Sequence, residues 1–437
     1  MSYFVEPIII ERETPGLLDY KEFNSHTELC GYYNHAIKEK GAPKLSIAIM
    51  SHQNLSSLKV CVECVLKFAE GTGFELVLMD NASEDNGGTY NFMQEVPYSR
   101  KKIIKMVDNM GPYFNAPRGW GTLWPYCTGD YILHLNDDHY ITENSVQNMI
   151  KALDYDHSIG MVNPVSSNAW MMQDPQLRFE TPEEMFEAAK AFNVFDPRKW
   201  EERIYVAAVA WMFRREVLPY MACPNPFGPE LCYDIALRSG GYRIMLLVDT
   251  WVHHNHDYSK KESYGFTGNS AEKIRQQEYV ARMASHLSFG LTLFQDICVF
   301  EKRLVLFAVP PKNEVPSLLS VDVCAGQGLL DLKNQLRKFG IFNTVCTSFS
   351  TQAKYYPLLY TIADEVIIDR IELIDSALGD RRFDYCIVGS PINFYPDFQC
   401  LLSILISKLK PGGQLLYKIK ETAEPYSEGC HSVFRSN

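Results

Sequence analysis

The sequence predicts an α/β protein made of two successive parallel-sheet units. Three observations carry this expectation. Short apolar runs bounded by turn residues alternate with helix-period stretches, as strands and crossover helices do in βαβ units. A long helical pattern interrupts the alternation once, and a new series then begins. At 437 residues the chain also exceeds what one hydrophobic core usually serves.

Composition narrows the class further. Hydrophobic residues make up 46% and charged residues 22%, enough apolar material for a sizeable core and too much for a disordered chain. The 42 Lys+Arg stand against 53 Asp+Glu, a formal charge of −11, so no nucleic acid is expected as a partner. Twelve cysteines are scattered along the chain. Cys61 and Cys64 form a lone CxxC with no second pair to complete a zinc site, and they read as buried thiols on one helix face. The start, MSYFVEPIIIERE, has no basic leader region, and no apolar run approaches the ~20 residues of a membrane span. A cytoplasmic location is the expectation.

The elements follow in order. Residues 1–43 read as an N-terminal arm with helical potential over 20–38, closed by Gly41-Ala42-Pro43. The first unit spans 44–265, with strands expected at 45–50 (LSIAIM), 74–79 (FELVLM), 102–107, 131–135, 160–163, 206–213 and 242–248. Residues 163–199 lack clear strands and read as a loop-rich insert. A helical connector covers 266–300, and the second unit, 301–437, has strands expected at 303–308, 319–324, 344–347, 365–368, 385–388 and 414–419.

Four clusters in the first unit bear chemistry. Asp80 ends a strand in Asp80-Asn81-Ala82-Ser83, where a carboxylate meets a ligand in the sheet's crevice or merely caps a turn. The strand at 131–135 runs straight into Asn136-Asp137-Asp138-His139, and adjoining acids at a strand end call for a compensating cation of the Mg²⁺ or Mn²⁺ kind. In PELCYDIALRSGG, Glu230 and Asp234 are four apart and share a helix face, and either suits a general base; Gly240-Gly241 stops the helix. Finally, Asp249-Thr250-Trp251-Val252-His253-His254-Asn255-His256 follows the strand at 242–248; three histidines in four positions offer a metal ligand, and His253 and His254 point to opposite sides if the strand continues.

In this order the segments LSIAIMSHQN, FELVLMDNAS, YILHLNDD, FGPELCYDIALRSGGYRI and DTWVHH resemble the inverting family 2 glycosyltransferases of the GT-A fold, over about residues 44–258. The resemblance implies a metal-dependent hexosyltransferase-type enzyme that moves a sugar from a nucleoside diphosphate to a hydroxyl of a glycan or protein. It implies Ser51, His52 and Asp80 around the base and ribose, Asn109, Arg118 and Asp137 on the donor side, and Asp138 as the principal metal ligand. His254 is the preferred second ligand and His253 the next. Glu230 falls on the general-base position, with Asp234 as the alternative. Aromatic faces suit sugar rings or peptide side chains, so Trp170, Trp211 and the 163–199 insert are expected to shape the acceptor side, with core packing equally open for Trp211. Met50 departs from the family's usual Pro, Asn136 from the first acid of its DxD, and Glu230 from its usual Asp. A non-catalytic protein that binds a glycan or nucleotide remains the alternative.

In the second unit, a strand enters Asp322-Val323-Cys324-Ala325-Gly326-Gln327-Gly328, and FDYCIVG and LKPGGQLL follow. This set is similar to class I S-adenosylmethionine-dependent methyltransferases, over about residues 302–420, in a Rossmann-like fold. The resemblance implies S-adenosylmethionine held near Asp322, Gly326 and Gly328, and methylation of the transferred sugar. The second strand (TVCTSFS) lacks the acid that commonly holds the ribose, so a scaffold for partner binding or a homodimer is equally open.

Overall fold

The computed structural model describes residues 3–10, 42–107, 123–169, 171–221, 229–255, 290–420 and 430–435. The chain forms two compact units, Met1–Asp196 with Val206–Ala284, and Pro197–Tyr205 with Ser285–Asn437.

In the first unit, β1 (Ile8–Ile10), β2 (Leu45–Ser51), β3 (Glu75–Asp80), β4 (Lys101–Met106), β5 (Tyr131–Asn136), β6 (His139–Tyr140), β7 (Ile159–Ser166), β8 (Met212–Arg214) and β9 (Arg243–His254) form one mixed sheet. Their order is β1-β4-β3-β2-β5-β8-β7-β9-β6. Neighbours from β1 to β5 are parallel. β8 runs against both β5 and β7, β9 is parallel to β7, and β6 is antiparallel to the end of β9. β2, β3 and β5 are buried almost without interruption, the pattern of parallel strands covered on both faces.

The longer helices of this unit are α1 (Leu55–Phe68), α2 (Ser145–Tyr155), α3 (Pro182–Phe192) and α4 (Pro229–Ser239). On α1, Leu58, Cys61, Val62 and Val65 recur at helical spacing and are buried. Cys61 and Cys64 are free thiols on that covered side, as expected from their spacing. α4 stops where Gly241, at φ +85°, takes the left-handed conformation that lets Tyr242 N–H bond back to Leu237 O. Trp124, Trp211, Phe213 and Tyr233 meet edge to face at centroid separations of 5.2–6.0 Å in the core. Trp211 is therefore a core side chain rather than a wall of an acceptor site, and truncating it to Ala costs about 3–5 kcal/mol. Trp170 lies outside the described residues.

Several expected elements change. The strand expected at 206–213 shrinks to β8, because side chains take the backbone donors before it. Val206 N–H bonds to Asp234 Oδ2 and Ala207 N–H to Gln173 Oε1. The strand expected at 303–308 is instead a short helix, Lys302–Val305, whose N–H groups bond locally. The insert at 163–199 carries α3, with Pro182 in its first turn and Thr181 Oγ1 accepting from Glu184 N–H. The arm helix at 20–38 and most of the connector lie outside the described residues.

In the second unit, β10 (Ser317–Val321), β11 (Val345–Ser350), β12 (Glu365–Ile368), β13 (Phe383–Val388), β14 (Leu409–Ile419) and β15 (Cys430–Arg435) pair in the order β12-β11-β10-β13-β14-β15. All neighbours are parallel except β15, which runs against β14. The order reverses between β10 and β13, which makes a topological switch point after β10. α5 (Gln327–Lys338) follows that point directly.

Two buried acids give this unit a pH dependence. Burial pushes the Glu301 carboxyl up to about 7 against the pull of Lys418, and burial raises Asp331 to about 6. Unfolded, both titrate near 4 (roughly). The folded unit thus binds more protons between those values, so its support from these groups is complete below the unfolded pKa and is lost as pH rises through about 6 and 7. Glu201 and Asp296 are lowered to about 2, so their contributions change only in stronger acid. Calorimetry should show the melting temperature of this unit falling between about pH 5 and pH 8, by a few degrees per ~1.4 kcal/mol. A rise across that window contradicts the assignment.

Candidate active site

The carboxyl ends of β3, β2 and β5 lie side by side, with Ser51 opposite Asp80 and Met50 opposite Asn136. This is the edge of a parallel sheet at which ligands gather. Ser51 Oγ donates to Asp137 Oδ2 at 2.7 Å, and Asn54 Nδ2 donates to Oδ1 at 3.1 Å. Burial and the neighbouring Asp138 push the Asp137 carboxyl up to about 7, against the pull of these two donors. The turn after β3 is laced to the one after β2. Asn81 N–H donates to Ser51 O, Gln53 N–H donates to Ser83 Oγ, and His52 Nδ1 lies 2.9 Å from Asn81 O. A carbonyl only accepts, so that ring carries its proton on Nδ1. Asp80 uses Oδ1 to accept Ser83 N–H at 2.9 Å, the turn role that its sequence context allowed. Ser51, His52, Asp80, Asp137 and Asp138 are thus gathered at one edge; Asn109 and Arg118 lie outside the described residues.

The β6–β9 pairing brings His254 opposite His139. Asp138, His139 and His254 each offer a donor atom, all within 4.8 Å of one another. His254 Nε2 is 3.4 Å from Asp138 Oδ2, and the two imidazole rings meet edge to face at 4.9 Å. One carboxylate with imidazole nitrogen is a donor set suited to Mn²⁺ and similar ions, so these residues fit a divalent cation. His139 Nδ1 accepts the Asn136 N–H at 3.1 Å. In the neutral ring the proton then sits on Nε2, 3.7 Å from Asp138 Oδ1, so Asp138 and His254 are the readier ligands of the three. Asn255 N–H also fixes the loop by donating to Asp138 O at 2.8 Å.

His253 does not join the cluster. It turns to the other side of β9, where Nδ1 meets Ser167 Oγ at 3.0 Å and the ring packs beside Tyr140, Phe179 and Trp251. Burial and the adjacent His254 push it down to about 4. Consecutive residues of a strand point to opposite sides, so His254 reaches the cluster and His253 does not, and the second imidazole beside Asp138 is that of His139. The signal for His139 was its place directly after the acids, where the short β6 turns the chain back against β9.

The two acids of α4 part company. Asp234 is fully buried and accepts Val206 N–H at 2.9 Å, and burial raises its carboxyl well above the usual range. It packs with a helix face that includes Tyr233 and Leu237 in the core. Glu230 sits in the first turn of the helix, partly buried, with its carboxyl also raised by burial. The shared face read from spacing holds, with Asp234 tied to the fold through Val206 and Glu230 at the start of the helix.

In the second unit, the residues expected to hold S-adenosylmethionine make contacts within the chain. Asp322 accepts Thr351 N–H and Thr351 Oγ1–H on one oxygen and Tyr395 O–H on the other. Ala325 N–H donates to Asp296 O. A Cβ on Gly326 would stand 2.7 Å from Ile362 Cδ1, and one on Gly328 would stand 2.9 Å from Glu301 Cγ. The space that these glycines leave is filled by the chain's own side chains, and β11 ends in Ser350 with no acid. The expected cofactor contacts at Asp322, Gly326 and Gly328 are therefore internal ones.

Residues 46–219 match the family model described as glycosyl transferase family 2. That stretch holds β2 to β8 and Asp138, and stops short of Glu230 and His254. Among solved structures, the chain is similar to GalNAc-T7 with UDP, GalNAc and Mn²⁺, at 14% identity, with 49% of this chain and 44% of that one covered and a TM-score of 0.37. It is similar to S. aureus TarS, at 14% identity, 56% and 40% coverage and a TM-score of 0.38. It is also similar to the mannosyltransferase PcManGT from Pyrobaculum calidifontis in complex with GDP-Man and Mn²⁺, at 15% identity, 61% and 74% coverage and a TM-score of 0.40. The chain spans less than half the length of the first two. No curated protein matches it. Among the described residues, no helix is long and apolar enough to cross a membrane.

Proposed function

We propose that the first unit is a metal-dependent, inverting glycosyltransferase that takes a sugar from a nucleoside diphosphate. The observation that carries this reading is the grouping of Ser51, Asp80, Asp137 and Asp138 at one sheet edge, with His254 brought to Asp138 by β9. The match to glycosyl transferase family 2 over 46–219 supports it.

Asp138 and His254 would hold the cation, with His139 beside them. When bound, such a cation neutralises charge on a departing diphosphate. Ser51 and Asn54 keep Asp137 in place beneath that position, and the turns after β2 and β3 present His52 and Asp80 to a nucleoside. Glu230 takes the proton of the acceptor hydroxyl as its oxygen bonds to the anomeric carbon, while the bond to the diphosphate breaks on the opposite face. A carboxyl raised by burial is a stronger base for that step once ionised.

A screen of UDP-, GDP- and dTDP-sugars, with Mn²⁺ or Mg²⁺ and glycan or protein acceptors, tests the reading. One donor should be turned over in a cation-dependent way. Binding of nucleotides with no turnover of any donor would instead favour a recognition protein.

A further inference from the structure

The helix that follows the G-x-G turn of the second unit is unusual. α5 is almost entirely buried although many of its residues are polar, Gln327, Asp331, Asn334 and Arg337 among them. Spaced by four, three and three, these four lie within one arc of the helix. Buried polar groups of this kind need partners, and here an extended segment supplies them. Asn334 Oδ1 accepts Glu202 N–H at 2.8 Å, and its Nδ2 donates to Glu202 O at 3.0 Å. Gln327 Oε1 accepts Ile204 N–H at 3.2 Å, and Arg337 Nη1 donates to Trp200 O at 2.9 Å. The contacts fall on residues 200, 202 and 204, every second residue, as along one edge of a strand. Asn334 stands in for a neighbouring strand, with one donor and one acceptor on the same residue.

The intervening residues are held by charge. Glu201 is paired with Lys302 at 2.8 Å and with the buried Arg203 at 2.5 Å, and Arg203 stacks on Phe300 at 4.8 Å. Further hydrogen bonds lock the helix itself. Gln327 Nε2 donates to Asp331 Oδ1 at 3.0 Å, and Arg337 Nη1 donates to Asn334 Oδ1 at 3.0 Å. The groups that read the segment are thereby pre-oriented, which lowers the entropy lost on holding it.

We infer that the second unit is a built-in peptide clamp: the helix after its G-x-G turn grips the main chain of this protein's own segment 197–205, which belongs to the same unit. Recognition runs through backbone groups, as when a peptide is added to a sheet edge, with Glu201 and Arg203 supplying the selectivity. This inference does not depend on the glycosyl-transfer reading, and its test involves no sugar.

Hydrogen exchange with fragment-resolved mass spectrometry on the full chain decides it. In Asn334→Ala, the amides of Glu202 and Ile204 should exchange at least ~10-fold faster, while β10 keeps its wild-type rates. Gln327→Met should have the same effect at Ile204 alone. Unchanged rates at 202 and 204 would overturn the clamp. So would equal acceleration throughout β10, because the helix would then be an ordinary core element. Millimolar S-adenosylmethionine should leave every rate unchanged, and protection of residues 322–328 by it would restore the cofactor site in place of the clamp.

Discussion

Asp138→Ala should abolish sugar-nucleotide turnover, with a loss of about 10²–10³-fold or more, the scale of removing one charge-stabilising group from such a site. Asp138 is the one carboxylate of its cluster, and both histidines face it. Without it, two imidazole rings and no carboxylate remain, a set with little affinity for a hard divalent ion. A chelator should reproduce the loss in the wild type, and added Mn²⁺ should rescue the wild type but not the variant. The melting temperature should change little, since the Asp138 side chain is 17% exposed and the variant keeps the bond from Asn255 N–H to the carbonyl of residue 138. His253→Ala is the contrasting variant. It opens a gap among Tyr140, Phe179 and Trp251, lowers stability by about 2–3 kcal/mol, and leaves cation dependence intact. Full turnover by Asp138→Ala in chelator would remove the proposed site altogether.

Much of this was legible because it is local. LSIAIM, ELVLM and YILHL declare themselves as buried strands through unbroken apolar composition, and their carboxyl ends carry Ser51, Asp80 and Asp138 with them. What the sequence hides is pairing at a distance. His139 gains its place only because β6 folds back on β9, and nothing within two residues of His139 encodes that. The region 206–213 reads as a strand by composition, but Asp234 and Gln173, far along the chain, take its donors. The G-x-G of the second unit reads as a tight turn, but that Ile362 and Glu301 pack against its glycines is not visible in the sequence. A polar helix such as α5 gives no hint of burial, since its partners are backbone groups of a segment more than a hundred residues away.

The two acids of α4 should separate cleanly by mutation. Asp234 is fully buried, burial raises its carboxyl well above the usual range, and it acts as an acceptor for Val206 N–H. Asp234→Asn keeps an acceptor oxygen for that contact and should cost little in either activity or stability. Asp234→Ala leaves the Val206 N–H unpaired and should lower stability by about 1–3 kcal/mol. Glu230 is the reverse case. Glu230→Gln keeps size and hydrogen bonding but cannot take a proton, so transfer to an acceptor should fall by about 10²–10⁴-fold with the melting temperature unchanged. Nucleotide binding should also survive, because the loss lies in proton removal. Since burial raises the Glu230 carboxyl, wild-type transfer should climb with pH through a pKa above the ordinary carboxylate value, as the base becomes ionised. That limb should be absent from the residual activity of Glu230→Gln. If Asp234→Asn instead silenced transfer while Glu230→Gln kept it, the base would be Asp234, and the Val206 contact would belong to the catalytic machinery.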